Sequence, residues 1–100
     1  MYYLFAQGMT KKDLVEIVAR KAHMTSKAAE EAIDVFLDEI GRSLGKGVKR
    51  VVLSGFGVFR VTWMQGKTVK IPNSEKTVSI KRHRLPRFTP GSRFKKQVQR

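Results

Sequence analysis

The chain has 100 residues, enough for one domain, and carries 21 Lys+Arg against 8 Asp+Glu for a formal net charge of +13, which predicts an anionic partner, nucleic acid first and an anionic membrane surface second. It contains no cysteine, which excludes disulfides and Cys-based zinc sites, and it has no apolar run long enough to span a bilayer. The charge is segregated: residues 1–54 hold nine Lys+Arg and seven Asp+Glu, a net of +2, whereas residues 55–100 hold twelve Lys+Arg and the single acid Glu75, a net of +11. Solubility does not need such one-sidedness, so the first half reads as scaffold and the second as binding surface.

The opening Met1-Tyr2-Tyr3-Leu4-Phe5-Ala6-Gln7-Gly8 is apolar, but it is too short for a signal sequence and lacks a basic start. It reads as an extension, an expression remnant or an over-called start ahead of Met9, and the domain is expected to span residues 9–100. Thr10 is placed to N-cap a helix, with Asp13 three residues on. Leu14, Ile17 and Val18 continue an apolar stripe at helical spacing. A second cap is expected at Thr25 or Ser26. Residues 27–44 then put Ala29, Ala32, Ile33, Phe36, Leu37, Ile40 and Leu44 on one helical face and Glu30, Glu31, Asp34, Asp38 and Glu39 on the other. Gly45 and Gly47 stop this helix.

The period then changes. Residues 48–59, rich in Val and Phe and broken by Gly55 and Gly57, read as two short strands with a tight bend. Strict alternation over 68–71 and 77–81, separated by Pro72-Asn73-Ser74-Glu75-Lys76, predicts a β-hairpin. A short basic helix over 93–99 follows Pro90-Gly91-Ser92. The predicted fold is α+β: a helical hairpin, a three-stranded antiparallel sheet with a long β-hairpin arm at about 61–83, and a short C-terminal helix.

The hairpin carries the main functional signal. A two-stranded ribbon is thin enough to enter a DNA groove, and this one bears Lys67, Lys70, Lys76, Lys81, Arg82 and Arg84, which can neutralise phosphates. Its apolar residues Val69, Ile71, Val78 and Ile80 either pack on a core or face the sugars and base edges of a minor groove; near the tip the second is favoured, since a lone hairpin has nothing to pack on. Pro72 either shapes the turn or wedges between base pairs. Trp63 either packs against the body or covers a sugar edge.

Met9-Thr10-Lys11-Lys12-Asp13-Leu14, Glu30-Glu31-Ala32, Gly55-Phe56-Gly57-Val58-Phe59, Leu85-Pro86-Arg87-Phe88 and Pro90-Gly91 resemble the bacterial histone-like HU/IHF family over nearly all of the chain from Met9. The resemblance implies an intertwined homodimer whose two arms lie in the minor groove of double-stranded DNA. Each tip proline, here Pro72, would prop open a kink. Most contacts would go to phosphates, with weak sequence preference through DNA deformability. An IHF-like site preference and an RNA-binding role are the alternatives. The resemblance further implies a cytoplasmic, nucleoid-associated protein. Together with the charge pattern it gives an expected DNA-contacting set of Lys11, Arg60, Lys67, Lys70, Ile71, Pro72, Asn73, Lys76, Lys81, Arg82, Arg84, Gly91, Arg93 and Lys95.

The chain departs from the family's arm. The family tip, Gly-Arg-Asn-Pro-x-Thr-Gly, is replaced by Val69-Lys70-Ile71-Pro72-Asn73-Ser74-Glu75, and Thr62 and Met64 stand where relatives often have arginine. Arg60 partly compensates. Phe36, Phe56, Phe59 and Phe88 are expected in the core and dimer interface rather than as base-stacking platforms. His23 and His83 have no second ligand at metal spacing, and no nucleophile–base pair or phosphate-binding glycine loop is present. Neither metal, cofactor, small-molecule substrate, membrane partner nor enzymatic activity is therefore expected.

Overall fold

The computed structural model describes residues 7–99, so the reading of the opening segment lies outside the described residues except at Gln7 and Gly8. The chain forms two compact units, the first running to Gly41 and the second from Arg42, so that the division falls inside the second helix.

In the first unit, α1 (Lys11–Lys21) starts at a capping box: Thr10 Oγ1 accepts from the Asp13 N–H at 3.3 Å, and Asp13 Oδ2 accepts from the Thr10 N–H at 2.9 Å. α2 (Ser26–Gly45) is capped by Thr25, whose Oγ1 accepts from the Ala28 N–H at 3.1 Å, which decides between the two expected caps. The two helices end with the same hydrogen bonds. After α1, Met24 N–H donates to the Ala19 carbonyl and His23 N–H to Arg20; after α2, Val48 N–H donates to Ser43 and Gly47 N–H to Leu44. Both are Schellman closures around a left-handed residue. Gly47 takes that conformation freely at φ 109°, whereas His23 takes it with a side chain at φ 57°.

The core of the first unit is Val15, Ala19 and Ala29, with Ile33 packed against them. This corrects the expected α1 stripe: of Leu14, Ile17 and Val18 only Ile17 is buried, and Val15 and Ala19 are the inward residues. The side of α1 carrying small side chains at an i, i+4 spacing faces this core, which leaves the larger Leu14 and Val18 outside. On α2, Val35, Phe36 and Leu37 are more than half exposed. Phe36 is thus not a core residue within one chain, and neither are Phe56 and Phe88, which are also exposed. The acidic face is also not purely solvated, because Asp34 holds Lys11 at 2.7 Å.

In the second unit, β1 (Arg50–Leu53), β2 (Gly57–Met64) and β5 (His83–Pro90) form an antiparallel sheet in the order β1-β2-β5, and β3 (Lys67–Lys70) pairs with β4 (Thr77–Ile80) as a separate ribbon. α3 (Ser92–Val98) closes the chain. Alternation gives the sheet two unlike faces. One bears Val51, Phe59 and Phe88 side by side. Here Phe88 meets Phe59 with ring centroids 4.8 Å apart and Phe56 at 5.2 Å, while Phe94 of α3 meets Phe56 at 4.6 Å, within the favourable range for tilted aromatic pairs. Phe94 is thus a fourth member of the cluster. The other face carries Arg50, Arg60 and Arg87.

Candidate nucleic-acid interface

The ribbon continues the β2–β5 ladder without a slip. Met64 faces His83 and Lys67 faces Ile80, with two residues intervening on each strand. Side chains therefore keep their parity from sheet to tip. Val69 faces Val78, and Ile80 and Ile71 share their side; Thr68, Ser79, Lys70 and Thr77 occupy the other. Every residue of β3 and β4 is exposed, so the apolar residues form one uncovered face of the ribbon, and Lys70 lies on the polar side.

The interruption at 65–66 and 81–82 is tight. A Cβ on Gly66 would lie 2.8 Å from the Ile80 carbonyl oxygen and 3.1 Å from the Arg82 nitrogen. Only glycine lets the two backbones approach this closely. At the tip, the Ser74 N–H donates to the Ile71 carbonyl at 3.2 Å, closing a four-residue turn with Pro72 and Asn73 at its centre. Pro72 sits where its fixed φ favours the turn, and Asn73 takes φ 61° at the position that requires a positive value, as in a type II turn. Asn is one of the few residues that tolerates this conformation. The Ile71 N–H donates to the Lys76 carbonyl, and the Lys76 N–H donates to Ser74 Oγ, so the loop is closed without the family's glycines.

The expected cations divide into two groups. Lys67, Lys70, Lys76, Lys81, Arg60, Arg93 and Lys95 are exposed, as are Pro72 and Asn73 and, at 38%, Ile71. Four other members of the expected set are already engaged. Arg84 donates from Nη1 to the Leu44 carbonyl at 3.4 Å and from Nη2 to the Gly45 carbonyl at 3.1 Å, tying the arm base to the last turn of α2, where a cation is favoured. Arg82 lies over the Trp63 ring, 4.2 Å from its centroid. The Gly91 N–H donates to the Phe56 carbonyl at 2.8 Å and so is not a free phosphate donor. Lys11 is ion-paired with Asp34, whose hydrogen bond and charge hold the ammonium above its ordinary range. Trp63 itself is 54% exposed and lines a shallow hollow with Leu44, Val48, Val61 and Arg84.

Residues 9–99 match the family described as bacterial DNA-binding protein. The chain belongs to that family. It is 37% identical over 92 residues to the DNA-binding protein HU of Helicobacter pylori, covering 91% of this chain and 97% of the relative. It is 36% identical over 90 residues to HU of Thermotoga maritima, covering 90% and 99%. Among solved structures, an Anabaena HU–DNA cocrystal structure superposes with a TM-score of 0.82 at 31% identity, covering 90% of this chain and 97% of that one. HU from Thermotoga maritima superposes at 0.64 and 30%, covering 90% and 98%.

Arg50 and Arg87 were not in the set expected from sequence. They lie 10 and 27 positions from Arg60 in sequence, and only strand pairing places them beside it.

Proposed function

We propose that this architectural DNA-binding protein acts as a homodimer that bends and compacts double-stranded DNA with little sequence preference, through backbone contacts and two minor-groove arms. The observation that carries this reading is the ribbon: two strands exposed along their whole length, apolar on one side and cationic at its margins, ending in a proline-centred turn. A structure with those dimensions fits a groove, and an exposed apolar tip gains most where base stacking opens. Membership of the family, and the presence of DNA in the Anabaena HU structure, support the same partner. The exposed Val35, Phe36 and Leu37 on α2, together with a small set of buried hydrophobics in the single chain, support a second copy. No described helix is long and apolar enough to cross a membrane. Family membership supports reading this role as non-enzymatic and placed at the bacterial nucleoid.

The test is binding to a short duplex with and without a central nick, at two salt concentrations, with an RNA duplex in parallel. Tight, salt-sensitive binding that favours the nicked duplex is expected, because broken stacking lowers the cost of the kink. Equal binding to nicked and intact DNA removes the wedge from the mechanism. Preference for RNA overturns the reading.

A further inference from the structure

We propose that His83 is a proton-gated contact: its Nε2 takes up a proton as the chain binds duplex DNA, so that affinity rises as pH falls through neutrality. This rests on the duplex-binding function above. His83 Nδ1 lies 2.9 Å from the Lys81 carbonyl oxygen. A carbonyl only accepts, so Nδ1 carries the hydrogen and donates it. The neutral ring then keeps its lone pair on Nε2, and His83 is exposed. A lone pair offers nothing to a phosphate oxygen. Protonation falls on Nε2 alone and makes it a charged donor, while the bond to Lys81 stays in place. The arm base keeps its shape through the change, and only the charge that it presents alters.

The surroundings single out this ring. In the run Lys81-Arg82-His83-Arg84 both arginines are already engaged, Arg82 over Trp63 and Arg84 at the Leu44 and Gly45 carbonyls. Strand alternation turns His83 to the opposite side from both, directly across from Met64. The next pair on that side, Thr62 and Leu85, is uncharged, and Arg60 and Arg87 follow it. Arg87 Nη2 reaches Met64 Sδ at 3.8 Å, which brings its charge towards His83 from one end, while Lys81 stands two residues away at the other. No acid faces the ring from either strand. The only carboxylate side chain after Glu39 is Glu75, in the tip turn beyond the Lys70–Thr77 pair, more than about 20 Å away along the ladder.

The anion that stabilises an imidazolium here therefore comes from outside the arm. A phosphate favours the charged ring, and histidine is the side chain whose ordinary change of charge falls between about pH 5 and 8. The complex then holds more protons than the free partners, so log K falls as pH rises. A lysine at this position would grip DNA at every pH; the imidazole makes the contact conditional.

The test titrates the full chain, H83Q, H83K and H23N, which removes the other of the two histidines, into one intact duplex at 100 mM salt from pH 6 to pH 8, a range above that of ordinary carboxylates. Wild-type affinity is expected to be higher at pH 6 than at pH 8 by about tenfold per bound protomer, the effect of one further counterion released at that salt. The slope of log K against log salt is expected to steepen by about one unit per bound protomer over the same interval. H83Q stays flat at the weaker level, H83K stays flat at the tighter level, and H23N follows the wild type. Calorimetry of the wild type in two buffers of different ionisation enthalpy reads proton uptake directly and needs no variant. If the wild type binds duplex DNA with a flat pH profile and no proton uptake, the gate is overturned while the DNA-binding function stands. The same holds if H83Q keeps the wild-type profile, or if H23N loses it. If the wild type binds no duplex at any pH, both fall.

Discussion

At the base of the ribbon, Arg84 grips the last carbonyls of α2, Arg82 covers Trp63, and Gly66 brings two backbones into close contact. At the tip, residues 71–76 are held by hydrogen bonds among themselves. The same two strands in the same register build both regions. The base is thus positioned by the body before DNA arrives, whereas the tip depends on turn chemistry alone and can yield to the groove it enters. Substitutions at the base are expected to register in stability, and those at the tip in the shape of the bound DNA.

The largest separation is expected for Pro72→Ala. Unstacking a base step costs roughly a few kcal/mol, and without the rigid ring that cost is no longer met. The bend angle, measured by energy transfer between dyes at the duplex ends, is expected to fall more than the affinity does. The unfolding free energy of the free protein falls by no more than about 0.4–1 kcal/mol, the entropic contribution of a proline at a compatible turn position. An unchanged bend would assign Pro72 to the turn only. Gly66→Ala is the converse experiment. Its Cβ meets backbone atoms that cannot swing away, so a loss of about 1–3 kcal/mol is expected in urea unfolding. Hydrogen exchange would show the loss first in the amides of 67–80. If stability holds, the base is looser than its geometry implies.

A smaller effect is expected for Arg84→Met, about 0.3–1 kcal/mol, the usual contribution of a cation at a helix C-terminus. Arg84→Lys recovers part of it, since lysine restores the charge but not the two-pronged donation. Equal stability of all three proteins would leave Arg84 free to serve DNA, as its place in a basic run suggests.

That contrast explains what sequence could and could not convey. Caps, periodicity and turn residues act over three to five positions, so the helix starts at Thr10 and at Thr25 or Ser26, the bend after Leu53 and the arm were all legible. The burial of Val15 in place of Leu14 was not, because α1 offers two apolar sides and only packing against α2 chooses between them. On the ribbon, the exposed positions of Lys70 and Pro72 were legible from a local run. The row of arginines on the sheet depends on a register joining residues 10 and 27 positions apart, Arg50 with Arg60 and Arg60 with Arg87. Basic composition likewise could not separate Arg84 and Arg82, whose guanidinium groups are engaged by the protein, from Lys67 and Lys81, which are exposed. Asn73 shows a finer case: the turn was legible, but which of its residues takes the positive φ was not, and asparagine fills that position where the family has none of its glycines.

An effect of similar size is also the sharpest probe of the base. Trp63 is the only tryptophan in the chain, so fluorescence reports on it alone. It is half exposed, with Arg82 stacked on its ring. An exposed cation–π pair contributes about 0.5–1 kcal/mol, so Arg82→Ala is expected to cost no more than this in stability and to shift Trp63 emission to the red as water replaces the guanidinium. Adding DNA to the wild type then decides what Arg82 does in the complex. If the guanidinium stays on the indole, emission shifts to the blue as DNA covers the ring, and Arg82→Ala keeps the wild-type salt slope. If Arg82 leaves the ring for a phosphate, the bound wild type loses its cation–π signature and Arg82→Ala lowers the slope by about one unit per bound protomer. The first result extends the body's hold to residue 82. The second moves the boundary between base and tip back to Arg84, whose partners are backbone carbonyls of α2 and not a side chain that DNA can displace.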